Sequence, residues 1–320
     1  MESLPDRPAP AALATVLRRT LEGVLTAWAA VSLTFFGLRL VGGDPTQVLL
    51  SQGLASQAQV AALRASLGLN RPLLTQYADF LLHLLRLDLG HSLYSGRSVL
   101  AIVIEQAPST LQLAALALLL AIPAGLVLGL LAGWARDRLA SRMASFLAGT
   151  LTSLPVAFTG LVFLAAFAAG VSQAQPGPLL AQVLRLLLPA GVLAVGAAGA
   201  LGRVVEAGVR ENLTAPFVLA ARARGVQGWP RLVWHVLRPA LPAIISLATL
   251  EATIFFTGTV VTETVFARPG LGRLLVTSIL QGDYPVAQGL IVMAAVLYTG
   301  SQVATDALAT AVDPRLRSST

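Results

Sequence analysis

Apolar residues crowd into six runs along this chain, at roughly 21–40, 107–134, 144–170, 179–201, 240–266 and 284–310. Shorter polar segments rich in arginine separate them. At ~1.5 Å rise per residue each run can cross the hydrocarbon core of a bilayer as a helix, and several are long enough to tilt. The pattern predicts an all-α, polytopic membrane protein with six transmembrane helices.

The segments between the runs have their own grammar. Residues 1–20 form an N-terminal tail with Pro5, Pro8 and Pro10, and the first 17 show no helical period. Arg18 and Arg19 precede the first span, 21–41, which is longer than the apolar core of a signal peptide and lacks a small-residue cleavage site after it. It is therefore expected to be an uncleaved transmembrane helix. Region 42–106 opens on the turn residues Gly42 to Pro45. Leu74, Tyr77, Leu81 and Leu85 then repeat at helical spacing, with Asp79, His83 and Arg86 on the other side. This predicts an amphipathic helix over 73–87 on the membrane or the bundle, followed by a turn from Leu87 to Ser92. Residues 107–310 hold the other five spans, with a long loop at 203–239, and 311–320 form a C-terminal tail. The second span carries Pro108 and Pro123, tolerable where neighbours satisfy the freed backbone groups. It also carries Gly125, Gly129 and Gly133, a strip at every fourth residue that lets another helix approach closely.

Composition places the chain in lipid. It is 56% hydrophobic and 12% charged, with mean hydropathy +0.76, so polar surface is too scarce to coat a soluble globule. The net charge of +7 comes from arginine alone. In a membrane protein excess arginine sets topology, so membrane lipid rather than nucleic acid is the expected partner. With the N-terminus inside, the inner segments hold 14 arginines and the outer ones 7, which favours both termini in the cytoplasm and region 42–106 outside. Cysteine is absent and the three histidines are scattered, so no metal site is expected. Without lysine there is no P-loop, so ATP cannot be hydrolysed on this chain.

The longest polar interruption of the second half is Arg210 to Pro242. Thr214 can cap a short helix with Pro216 in its first turn and Arg222 and Arg224 at its end. Gly225 follows where a left-handed residue is needed. Gly228, Trp229 and Pro230 are expected to turn the chain. Arg231, His235 and Arg238 then lie opposite Leu232, Val233, Val236 and Leu237 on a second amphipathic helix, which Pro239 and Pro242 lead into span five. This grammar suits a docking element, and it also suits a basic interfacial loop that only obeys the positive-inside rule.

Ala220-Ala221-x-x-x-Gly225 followed by His235-x-Leu237-Arg238 resembles the "EAA" loop of ABC-importer permeases, in the variant of the dipeptide, oligopeptide and nickel branch. The similarity covers nearly the whole chain. It includes Gly43 to Pro45, Leu67 to Tyr77, Asp88 to Ser92, Glu263 to Leu275, Gly282 to Pro285 and Asp313 to Arg317. It departs from the pattern at Leu219 where the motif's name puts Glu, which is usual for this branch, at Arg238 in place of Pro, and at Leu87 in place of Gly.

The resemblance implies the type I ABC importer transmembrane fold in the plasma (inner) membrane of a prokaryote. It implies a second homologous permease subunit, two cytoplasmic ATPase subunits that bind ATP and Mg, and an extracytoplasmic solute-binding protein. The solute would be a peptide or a related small solute, nickel among them. By carry-over, Phe217, Ala220, Ala221, Arg222 and Gly225 would couple the permease to the ATPase. This chain would itself be non-catalytic and hold no cofactor.

Two carboxylates fall in span five. Glu263, in the family's E-x-x-F-x-x-P-G pattern, is expected to start the external turn at Arg268-Pro269-Gly270. Glu251 lies deeper, where a carboxylate costs ~2.5–3.5 kcal/mol on insertion scales. It should face a water-filled path as a pore-lining group, or be neutralised by a proton or a helix–helix hydrogen bond. A membrane-embedded enzyme is the weaker alternative, since His-Glu-x-x-His and Gly-x-Ser-x-Gly are absent. A secondary transporter is another, weakened by the lack of evident repeats or broken helices.

Overall fold

The computed structural model describes residues 9–40, 46, 50, 56–66, 68–135, 138–174 and 178–312. Beyond an isolated bridge between His91 and Ser98, the described residues form helices and turns. The helices are α1 (Ala9–Leu40), α2 (Gln57–Ser66), α3 (Leu73–Leu85), α4 (Val99–Trp134), α5 (Arg138–Ser153), α6 (Val156–Ala174), α7 (Pro178–Leu213), α8 (Pro216–Ala223) and α9 (Gly228–Arg231). A π-helical segment, Leu232–Leu237, leads into α10 (Arg238–Gly258), and α11 (Val260–Val265), α12 (Leu271–Gln281) and α13 (Tyr284–Val312) follow. The motifs at 43–45 and 313–317 and the C-terminal tail lie outside the described residues.

Among the described residues, five helices are long and apolar enough to span a membrane, and six spans result if α5 and α6 count as one. That pair is bent by 102°. The sequence pattern predicts one uninterrupted span at 144–170, and the break corrects it. Pro155 has no N–H to continue the ladder and clashes with the preceding turn. Its carbonyl instead starts α6 by accepting the Thr159 N–H at 3.0 Å and the Thr159 hydroxyl at 2.8 Å. Two helix starts also move. α1 begins at Ala9, inside the expected tail, and α4 begins at Val99, inside the expected external region.

The chain divides into two compact units. The first comprises residues 1–109 and 269–300. In it α3 packs on α1 through an aromatic cluster. Phe35 is fully buried, with the rings of Phe36, Tyr77 and Phe80 at 5.2–5.3 Å. Ser32 Oγ and Tyr77 Oη lie 2.5 Å apart, and Arg39 Nε donates to Gln76 Oε1 at 3.1 Å. The packed face of α3 therefore centres on Tyr77 and Phe80. Leu74 and Leu85, expected on that face, are 73% and 81% exposed. The aromatic pairs take the contact because each ring buries more area than a leucine. A second cluster joins the start of α4 to α13 through Val99, Val103, Val286 and Leu290. Gly289 is required there, since a Cβ would sit 2.4 Å from Val99 Cγ1.

The turn after α3 places Leu87 at φ 59°, the left-handed conformation that the family's glycine would adopt without strain.

The second unit comprises residues 110–268 and 301–320. Its core runs along α4 and α7, from Leu113, Ala114, Ala117 and Ala121 to Leu193, Ala197, Leu201, Val205 and Val209. The glycine strip of α4 faces α7 as the spacing predicts. A Cβ on Gly125, Gly129 or Gly133 would lie 2.5 Å from Leu201 Cβ, 2.4 Å from Val205 Cβ or 2.8 Å from Val209 Cγ1. Each glycine thus admits one residue of α7, at matching four-residue steps. Another part of α7 presents Gly199 to α5, where a Cβ would come within 2.6 Å of the Ala148 carbonyl oxygen. α7 is held closely by both neighbours.

Candidate coupling surface

The chain leaves α7 at Leu213 and starts α8 through Ala215, an extended residue at φ −66°, ψ 141°, with Pro216 in the first turn. Thr214 does not cap this helix. Its hydroxyl donates back to the Glu211 carbonyl at 3.0 Å, closing the end of α7 instead. Proline at the first position removes one donor that a cap would have to satisfy.

α8 ends as the glycine predicts. Gly225 has φ +86°, its N–H bonds the Arg222 carbonyl at 3.0 Å, and the Val226 N–H bonds the Ala221 carbonyl at 3.1 Å. This pair of bonds is the Schellman arrangement. A Cβ on Gly225 would meet nothing within 4 Å, so the backbone conformation, rather than crowding, requires glycine here.

The eight residues of α8 divide cleanly between two faces. Val218 is buried in the core cluster with Leu232, Val236 and Val209, and Ala221 is buried as well. Phe217 and Leu219 are 48% and 51% exposed, and Ala220, Arg222, Ala223 and Arg224 are also exposed. Ala221 is fully covered within this chain, unlike the exposed Ala220. It sits one turn after Val218 on the inner face, and its small side chain lets α8 lie close to the bundle.

The second half of the loop differs from its expected form. Gly228, at φ +65°, begins a helical turn through Trp229 and Pro230, so these residues are not an open turn. From Leu232 to Leu237 the helix widens to the π form. The predicted apolar face was Leu232, Val233, Val236 and Leu237. In the π segment Leu232 and Val236 are buried while Val233 is 39% exposed. Asn212 Nδ2 donates to the Val236 carbonyl at 2.9 Å, so the end of α7 holds the π segment by a side chain.

A polar cluster above this loop ties three helices together. Glu206 Oε1 accepts from Arg210 at 2.7 Å and from Ser145 Oγ at 2.7 Å. Arg210 also reaches the Ala132 carbonyl at 3.3 Å, and Ser141 Oγ donates to that same oxygen at 2.6 Å. The ends of α4 and α7 and the start of α5 are joined just where α8 departs. Arg210 is thus more than a topology charge. The signal for its role was the Glu206 to Arg210 spacing of i, i+4.

The two carboxylates of span five sit in different surroundings. Glu263 is fully buried on α11. Its Oε1 accepts from Thr110 at 2.7 Å and Thr259 at 3.0 Å, and its carbonyl accepts the Arg268 N–H at 2.9 Å. It builds the turn, consistent with a structural role. Burial pulls the Arg268 guanidinium below its ordinary range, partly offset by Glu263, and Arg268 donates to Gln112 at 3.1 Å. Glu251 is half-buried on α10, with no side-chain hydrogen bond or ion pair among the described residues.

The profile of the family described as "Binding-protein-dependent transport system inner membrane component" matches residues 121–318, which contain the whole of this loop. The chain belongs to that family. It is 32% identical over 312 residues to a Brucella abortus (strain 2308) protein named as a peptide transport system permease, covering 95% of this chain and 99% of that one. It is 33% identical over 332 residues to a protein of Escherichia coli K12 named as a D,D-dipeptide transport system permease, covering 94% and 97%. Two solved structures share the fold. The inward-facing MetNI methionine ABC transporter aligns with TM-score 0.54 at 22% identity, over 67% of this chain and 97% of that one. An amino acid ABC transporter crystallised with histidines aligns with TM-score 0.51 at 16% identity, over 67% and 94%. The family member described here is accordingly a multi-pass inner-membrane permease subunit of an ABC transporter, a non-catalytic transport component with the type I importer fold.

Proposed function

We propose that this permease carries peptides inward, and that α8 is the element through which separate ATPase subunits drive it. The peptide names of its relatives support the solute class. The two-faced form of α8 supports the coupling role, and it is the observation that carries the proposal. One face is buried, with Val218 in the bundle core and Ala221 fully covered. The other presents Phe217, Leu219, Ala220 and Arg222 to the outside on a helix stopped at Gly225. A rigid element with one buried and one free apolar face transmits displacement, because packed cores shift as units rather than deform.

Both termini lie in the cytoplasm in this reading, as the arginine distribution favours. A second homologous permease, two ATPases and an extracytoplasmic binding protein complete the assembly. ATP and Mg bind the ATPases, and this chain needs no cofactor. ATPase closure pushes on Phe217 and its neighbours. Val218 and Ala221 pass the motion to α7 and the π segment that leads into α10, and the bundle alternates its access by rigid rocking. Glu251, half-buried and without a partner in mid-span, lines the solute path and favours cationic groups such as a peptide's amino end.

Gly225→Val tests the coupling. The strained backbone should unseat the end of α8 while nothing crowds the new side chain. The expected result is a folded membrane bundle in which ATP hydrolysis no longer supports transport. Full transport and unchanged hydrolysis in that variant would return the loop to a plain basic connector.

A further inference from the structure

We infer that Gly228 to Arg238 forms a binding site for anionic phospholipid headgroups, with Trp229 and Trp234 as interfacial anchors and Arg231 and Arg238 as the phosphate-directed charges. The depth of the segment is set by Trp134, the last residue of the long apolar helix α4. Its ring lies 5.8 Å from that of Trp229, so Trp229 stands where hydrocarbon gives way to water. Trp229 and Trp234 are each 62% exposed, beside the partly exposed Val233. Two bare indoles are costly in bulk water. At a membrane boundary, with an apolar body and one N–H to satisfy, they are favoured.

The charge on the segment has no internal counterpart. Between Glu211 and Glu251 the sequence holds Arg222, Arg224, Arg231 and Arg238 and no acidic residue. Arg238 lies 5.6 Å over the Trp234 ring and makes no ion pair among the described residues. Arg231 Nε and His235 Nδ1 are buried with no hydrogen-bond partner among the described residues. The π-helical turn puts Leu232 and Val236 inward, leaving Trp234 and Arg238 exposed. For the exposed Arg238, a phosphodiester headgroup supplies a negative charge with acceptor oxygens suited to guanidinium donors.

The site is separate from the outward face of α8, so it stands or falls independently of the coupling proposal. The test places the permease with its co-purifying partners in nanodiscs containing brominated phosphatidylcholine or brominated phosphatidylglycerol at equal mole fraction. The quenched component from Trp229 and Trp234 is isolated by subtracting the W229F/W234F variant. Brominated phosphatidylglycerol should quench this component more strongly. Arg238→Gln should reduce the preference by up to about fivefold, the weight of one arginine at an anionic surface. If Arg238→Gln fails to fold, raising the salt concentration on wild type should erase the preference and leave phosphatidylcholine quenching unchanged. Equal quenching by both lipids in wild type overturns the proposal. Absence of quenching by either lipid overturns it too, since the face would then be covered by a partner protein.

Discussion

The carboxylate of Asp283 accepts the hydroxyl of Ser92 at 2.6 Å and the N–H of Leu93 at 3.1 Å. The two residues are 191 positions apart, and both are buried. Each comes from a short motif, Asp88 to Ser92 and Gly282 to Pro285, that is only a turn when read alone. Ser92 also organises its own turn, accepting from the N–H groups of Tyr94 and Ser95. Asp283→Asn replaces one acceptor with a donor facing these N–H and O–H groups. It should lower stability by about 1–3 kcal/mol, the cost of stranding a buried polar group. Thermal unfolding in detergent measures this, and a midpoint equal to wild type would contradict it.

Gly129 and Val205 should be coupled in the same way across α4 and α7. Gly129→Ala places a Cβ 2.4 Å from Val205 Cβ and 2.5 Å from the Gly202 carbonyl oxygen. Overpacking of this kind costs about 1–3 kcal/mol. Val205→Ala alone should also destabilise, by leaving space. If the steric reading holds, the double variant is more stable than the two single losses predict, though the Gly202 carbonyl keeps rescue partial. Strict additivity in a thermal-shift cycle would argue against direct contact.

Glu251→Gln keeps shape and removes charge. If Glu251 lines the solute path, uptake of peptides with a free amino end should weaken several-fold relative to N-acetylated peptides, roughly 1 kcal/mol for one partly screened charge pair. Competition uptake in proteoliposomes with the partner subunits provides the measurement. An equal effect on both peptide types, or none, would remove Glu251 from the path.

These positions show what a single sequence discloses. The strip at Gly125, Gly129 and Gly133 and the stop at Gly225 were legible because each is local. A four-residue spacing or one left-handed backbone angle leaves its mark on one stretch of chain. Leu87 was legible as an oddity, and its φ of 59° gives the reason a glycine suits the place. The failures needed knowledge of partners. Leu74 and Leu85 fit the period of α3 as well as Phe80 does, and only the aromatic face of α1 chooses between them. Ala221 looked like Ala220 until α8 had an inside. The widening at Leu232 has no residue signature, and the Asn212 bond to the Val236 carbonyl joins residues 24 positions apart. Pro155 was visible in the sequence, but the 102° bend it marks was hidden within a continuous apolar run.

The chain contains no cysteine, so one introduced thiol reports on one position. Phe217→Cys tests coupling through α8, with Leu74→Cys, exposed on α3, as the control. A short bifunctional thiol-to-amine reagent would be applied to the assembled transporter in membranes. An adduct is expected between the Phe217→Cys permease and an ATPase subunit, and none from Leu74→Cys. No ATPase adduct from Phe217→Cys, or equal yields from both positions, would contradict coupling through α8.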